Sequence, residues 1–137
     1  MGRGLEGYRE GVAVYLDTHI AVAVAEGKGR RLSSHATRCM EHGELLISPM
    51  VVVELELLYE IGRLTHRAAD FVHKLRYEMS VQVCSLSFAE VAKVATQEKW
   101  TRDPFDRLIV ANAKANGFAW LITDDQRIHA HYQRALD

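Results

Sequence analysis

A chain of 137 residues, 48% of them apolar and 26% charged, has the size and balance expected of one globular domain around one core. Its formal net charge of −1 gives no overall attraction to nucleic acid, so any such contact must rest on local patches. No run of about 18 apolar residues occurs, which excludes a membrane-spanning helix.

The N-terminus has no apolar signal core, leaving the cytoplasm as the expected compartment. Gly2 is followed by Glu6 where a myristoylation signal needs Ser or Thr. Cys39 and Cys84 match no metal or redox spacing and read as buried thiols. The histidines form neither HExxH nor a zinc-spaced pair, so zinc is not expected.

Residues 1–11, rich in glycine and charge, read as a flexible N-terminal extension, with a single domain over residues 12–137. The run Val12-Ala13-Val14-Tyr15-Leu16 is short and continuously apolar, the pattern of a strand buried on both faces of a parallel sheet. It stops at Asp17-Thr18, which can cap an apolar helix from Ile20 to Ala25 ended by Gly27-Lys28-Gly29. A helix from Leu32 to His42 stops at Gly43, and Leu45-Leu46-Ile47 follows as a second strand.

Ser48 caps and Pro49 opens a long helix to about Ile61, with Val51, Leu55, Leu58 and Ile61 as its apolar stripe. Glu54 falls on that stripe, whereas Glu56 and Glu60 read as ordinary solvated glutamates. Thr65 is the expected cap of a helix through Met79, followed by a third strand, Val81-Gln82-Val83-Cys84. Ser87 caps a helix to about Gln97. Asp103 caps and Pro104 opens another that closes at Asn116-Gly117. Ala119-Trp120-Leu121-Ile122 is a fourth strand, ending at Thr123-Asp124-Asp125 before a last helix from Gln126 to Ala135. This alternation predicts an α/β fold, a three-layer α/β/α sandwich on a mainly parallel central sheet with right-handed crossovers.

Such sheets bind ligands beyond the carboxyl ends of their strands. Asp17 and the Asp124-Asp125 pair follow strand ends, while Glu54 and Asp106 lie near the starts of helices, on apolar faces. Helical steps from Asp106 lead to Ile109, Val110 and Ala113, so this carboxylate points inward and needs a cationic partner. Each acid alone also reads as a cap or a solvated loop residue. Together Asp17, Glu54, Asp106 and Asp125 form a hard-oxygen set suited to Mg²⁺ or Mn²⁺, able to hold a phosphodiester and activate water. Lys28-Gly29-Arg30-Arg31, Arg63 with Arg67, and Lys74 with Arg76 are candidate basic patches.

Four blocks carry a resemblance to the PIN-domain ribonucleases, and within them to the VapC toxins of toxin-antitoxin pairs. They are Tyr15-Leu16-Asp17-Thr18-His19; Ile47-Ser48-Pro49 through Glu54; Asp103-Pro104-Phe105-Asp106-Arg107-Leu108-Ile109-Val110-Ala111; and Leu121-Ile122-Thr123-Asp124-Asp125. The resemblance implies a metal-dependent endoribonuclease with Asp17, Glu54 and Asp106 as core acids, and it selects Asp125 over Asp124 as the fourth. Thr18 and Thr123 become partners for metal-bound water or phosphate, and Arg107 a residue that orients a carboxylate or meets RNA. Asp103 matches the extra acid of the Asp-Pro-Phe-Asp-Arg subgroup, although Thr101 stands where that subgroup often has His. The resemblance also implies an RNA substrate, a homodimer, and inhibition by an antitoxin laid over the acidic groove.

Competing readings fit less well. A haloacid-dehalogenase phosphatase needs an acid where His19 stands, and a response-regulator receiver places its acidic pair after the first strand rather than the last. A structure-specific DNA nuclease needs a longer insertion than the chain holds. A catalytically silent RNA- or partner-binding scaffold predicts broken acids, and the four main positions are intact.

Overall fold

The computed structural model describes residues 11–28 and 32–137. The expected N-terminal extension, up to residue 10, and the basic run after Lys28 lie outside the described residues.

The elements alternate as expected. Strand β1 (Ala13–Leu16) leads into helix α1 (Thr18–Ala25), and helix α2 (Ser34–His42) into β2 (Glu44–Ile47). Helices α3 (Pro49–Glu60) and α4 (Ala68–Met79) precede β3 (Gln82–Val83). Helices α5 (Phe88–Ala95) and α6 (Pro104–Ala115) precede β4 (Trp120–Ile122), and α7 (Gln126–His131) and β5 (Ala135–Leu136) close the chain. The described strands form one five-stranded sheet in the order β3-β2-β1-β4-β5. Every pairing is parallel. The chain winds outward from β1 through β2 to β3, then returns to place β4 on the other side of β1. A crevice therefore opens beyond the carboxyl ends of β1 and β4, where the winding reverses.

The core is apolar on both sides of the sheet's centre. Val14, Tyr15, Leu16, Leu121 and Ile122 are fully buried, as are Val51 and Leu55 of α3 and Val110 and Ala113 of α6. Gly43 closes α2 with φ −85° and ψ 168°, a conformation open to any residue. Close approach is what requires glycine there: a Cβ would meet the Val14 side chain and lie 2.7 Å from the Cys39 carbonyl oxygen and 2.8 Å from that of Val12.

Four expectations are corrected. The final helix stops at His131 instead of Ala135, because Ala135 and Leu136 pair with Leu121 and Ile122 as a fifth strand. The third strand shrinks to Gln82–Val83. Ile61 is 66% exposed, so the buried stripe of α3 ends earlier. Thr65 does not cap α4: the helix begins at Ala68 after Arg67, whose side chain makes no capping bond.

Glu56, expected to be solvated, provides the missing acceptor. Its Oε1 accepts from the Ala68 amide at 3.1 Å, and its Oε2 accepts from Arg67 Nη2 at 2.5 Å and Nε at 3.2 Å. Arg67 also lies over the Tyr59 ring, 5.5 Å from its centroid. A carboxylate on α3 thus closes the amino end of α4, where an orphan N–H and the helix dipole both favour negative charge. Glu56→Ala lowers the melting temperature in thermal unfolding followed by circular dichroism, whereas Glu60→Ala leaves it unchanged. Equal curves for the two variants would remove the clamp.

Candidate active site

Strand register places the first two acid-bearing segments side by side. Leu16 of β1 pairs with Ile122 of β4, and the next amide, Asp17 N–H, donates to the Ile122 carbonyl at 3.0 Å. One residue past that pair, Thr123 Oγ1 donates to Asp17 Oδ2 at 2.6 Å. The other Asp17 oxygen accepts from the Thr18 amide at 2.8 Å as the N-cap of α1. Thr18 then turns its hydroxyl to Glu54 of α3, donating to Oε1 at 2.5 Å. Thr18 and Thr123 are 1% and 0% exposed, so these hydroxyls face the carboxylates with no water competing for them. The chain Thr123–Asp17–Thr18–Glu54 fixes two acids from distant sequence positions.

The remaining acids arrive on helix starts. Asp103 caps α6 through Oδ1, which accepts from the Phe105 amide at 2.9 Å, and Pro104 occupies the first turn. Asp106 follows one turn later, half-buried. Asp125 caps α7, its Oδ1 accepting from the Arg127 and Ile128 amides at 2.8 and 3.3 Å, while its own amide donates to Thr123 Oγ1 at 3.0 Å. Asp17, Asp103 and Asp125 are therefore caps as well as members of the cluster. The capping bonds of Asp103 and Asp125 use Oδ1, whereas both oxygens of Asp17 are engaged, by the Thr18 amide and the Thr123 hydroxyl.

These acids lie close enough to act on one another's charge. Burial pushes the Asp106 carboxyl up from 3.8 to about 7, and the charges that add most to the rise are Asp103, Asp125, Asp17 and Glu54, all acidic. Burial also raises Asp17 and Glu54, opposed first by the hydroxyl bonds from Thr123 and Thr18 respectively. The charge of His19, exposed beside them, partly counters both. Sequence reasoning gave His19 no role, although its position two residues after Asp17 was the available signal.

The expected supporting residues divide. Arg107 is half-buried and donates Nε to the Thr101 carbonyl at 3.2 Å, so it braces the loop before Asp103. Asp124 is exposed, its carbonyl accepting from Gln126 Nε2 at 3.4 Å. Of the basic patches, Arg67 is held by Glu56, and Lys28 pairs with Glu26 at 3.2 Å.

Sequence reasoning missed the scaffold behind the acids. Glu98, 2% exposed, accepts from Lys114 Nζ at 2.7 Å and from Trp100 Nε1 at 2.9 Å. Trp100 stacks on His131 and meets Arg127, tying the loop before Asp103 to the helix after Asp125. These partners are separated by up to 31 positions, from Trp100 to His131, and no local pattern announces them.

The donor chemistry suits a hard divalent cation. Clustered carboxylates carry unneutralised negative charge, their oxygens are the ligand type such ions take, and the hydroxyl bonds hold two of them in fixed orientation. Among the described residues, no three acidic, imidazole or thiol groups already stand in coordinating positions. Mg²⁺ keeps several waters and uses one or two carboxylates directly, so a loosely gathered set fits a hydrated ion.

Comparison with known proteins agrees with this architecture. Residues 14–134 match the family model described as the PIN domain. The chain belongs to the PIN-domain family. Its catalogue of relatives includes Ribonuclease VapC22 of Mycobacterium tuberculosis, 32% identical over 121 residues covering 86% of this chain and 91% of that protein. The PIN fold is shared with VapBC2 from Rickettsia felis, solved bound to a promoter DNA fragment, at TM-score 0.60 and 15% identity, covering 90% of this chain and 96% of that one. A toxin-antitoxin complex from Klebsiella pneumoniae matches at TM-score 0.59 and 19% identity, with the same coverage of 90% and 96%.

The raised Asp106 carboxyl makes a prediction for the metal-free protein. The folded state holds this proton more tightly than the unfolded chain, so stability is greatest below the ordinary value of 3.8 and falls as pH rises through about 7. In chelator, Asp106→Asn melts close to the native protein in acid and above it at alkaline pH, by on the order of 3 °C per kcal/mol of repulsion relieved for a chain of this size. Parallel melting curves across that range would show that Asp106 is not strained by its neighbours.

Proposed function

We propose that this protein is a VapC-type endoribonuclease that hydrolyses RNA phosphodiester bonds with Mg²⁺ or Mn²⁺, and that it is the toxin of a toxin-antitoxin pair. The observation that carries this reading is the coupled carboxylate cluster at the crevice between β1 and β4, in which Asp106 feels Asp17, Glu54, Asp103 and Asp125 at once. Its membership of the PIN family and its similarity to Ribonuclease VapC22 support the same reading.

Asp17, Glu54, Asp106 and Asp125 would hold the cation. When bound, it would neutralise the phosphate and lower the pKa of a bound water. The chain's own contribution is orientation. Thr123 and Thr18 aim the Asp17 and Glu54 carboxylates through their hydroxyls, and the Asp103 and Asp125 caps set where α6 and α7 begin. Arg107 braces the Thr101 carbonyl, so the turn that presents Asp106 keeps its shape.

The antitoxin is inferred from the similar structures, one of which is a toxin-antitoxin complex. A second copy of this chain is the other expected partner. An apolar row on the outer side of α3 supports protein contacts: Val53, Leu57 and Ile61 are 48%, 41% and 66% exposed. Among the described residues, no helix is long and apolar enough to cross a membrane.

Purified protein incubated with total prokaryotic RNA and Mg²⁺ or Mn²⁺ yields discrete fragments, and EDTA abolishes them. Asp106→Asn reduces the rate by at least 100-fold, on the order of what losing one charge-stabilising contact costs. Intact RNA in the presence of either metal, or full activity in the variant, would overturn the assignment.

A further inference from the structure

The His131 ring lies almost parallel to the Trp100 indole, with centroids 4.9 Å apart and 10° between planes. The Arg127 guanidinium sits over the same indole at 5.8 Å and donates Nη2 to the Trp100 carbonyl at 3.1 Å. Trp100 is partly buried against the core, while Arg127 and His131 are exposed. The outcome is a two-tier aromatic stack with its outer ring turned to solvent and a guanidinium at its edge.

Its place in the chain gives the stack a function. Trp100 lies three residues before Asp103, and α7 carries Arg127 and His131 directly after its Asp125 cap. His131 lies six helical steps beyond Asp125, about 9 Å of rise. The platform is thus built on the two segments that carry three of the acids, its outer ring one short helix beyond the Asp125 cap. An exposed aromatic ring beside a guanidinium suits a splayed nucleobase, because stacking needs only a π-face and a guanidinium meets phosphate well. A purely structural brace would not require the outer tier to be an exposed aromatic ring, since Arg127 already ties the loop to α7.

We propose that His131, stacked on Trp100 and flanked by Arg127, forms the subsite that seats an unpaired base of single-stranded RNA next to the scissile phosphate. The proposal rests on the ribonuclease reading for its substrate, and its test does not depend on cleavage. Asp106→Asn protein is titrated in EDTA with short unpaired oligoribonucleotides carrying 2-aminopurine, whose fluorescence falls on stacking, and with abasic oligomers of the same length. The base-bearing oligomer is quenched and saturates, and the abasic one binds more weakly. His131→Ala weakens binding about five- to tenfold, the lower part of the range for one stacked base, and His131→Phe restores it. In active protein, His131→Ala raises KM by the same factor and leaves kcat nearly unchanged.

Equal binding of abasic and base-bearing oligomers would overturn the subsite. So would a His131→Ala variant that melts lower but binds RNA normally, since the stack would then be structural, as would a failure of His131→Phe to rescue. Quenched RNA binding by a protein that never cleaves would leave the subsite standing and remove the nuclease reading instead.

Discussion

Five carboxylates gathered at one sheet edge repel each other, and most of the local architecture answers that repulsion. Three of them, Asp17, Asp103 and Asp125, cap α1, α6 and α7. Each places one oxygen on amide groups at the positive end of a helix, where negative charge is favoured. Glu54 and Asp17 also receive threonine hydroxyls. Asp106 sits half-buried in the field of the others, and its carboxyl rises to about 7. The cluster is thus held at the limit of what caps and hydroxyls can stabilise. A divalent cation held there, as proposed, would meet the charge that protein donors leave unmet.

The parallel sheet makes the gathering possible. With every strand running the same way, all strand carboxyl ends share one edge, and reversal of the winding between β1 and β4 opens a crevice there. Register then does the fine placement: pairing of Leu16 with Ile122 leaves Asp17 and Thr123 as neighbours one step beyond. A slip of one residue would turn both side chains to opposite faces and break the 2.6 Å bond between them.

What could be read from the sequence was what is encoded locally. Asp103-Pro104, Ser48-Pro49 and Asp17 announced three helix starts, since capping chemistry involves residues one to three positions apart. Glu54 and Asp106 stood out because helical periodicity put acids on apolar faces. Local reasoning failed where the decisive partner is distant. Thr65 looked like a cap, but the Ala68 amide is met by Glu56 from the preceding helix. Ala135 continued a helical pattern, yet a free sheet edge at β4 captured it as strand. Capping by Asp17, Asp103 and Asp125 does not exclude their place in the acidic cluster, because the structure shows them as caps that also act on the charge of Asp106.

The scaffold behind the site shows the same dependence on distance. Glu98 and Lys114 form a nearly buried ion pair, and such pairs add little net stability because desolvation offsets attraction. Their value here is geometric. Lys114 belongs to α6, the helix that carries Asp106, and Glu98 also holds the Trp100 indole N–H. Trp100 in turn meets Arg127 and His131 on α7, the helix capped by Asp125. The loop from Glu98 to Asp103 is therefore fastened at both ends to elements that bear acids, with Arg107 fixing its middle at Thr101. A substitution that loosens this loop would change the distance between Asp106 and Asp125 without touching either, so its effect would fall on catalysis before it reached stability.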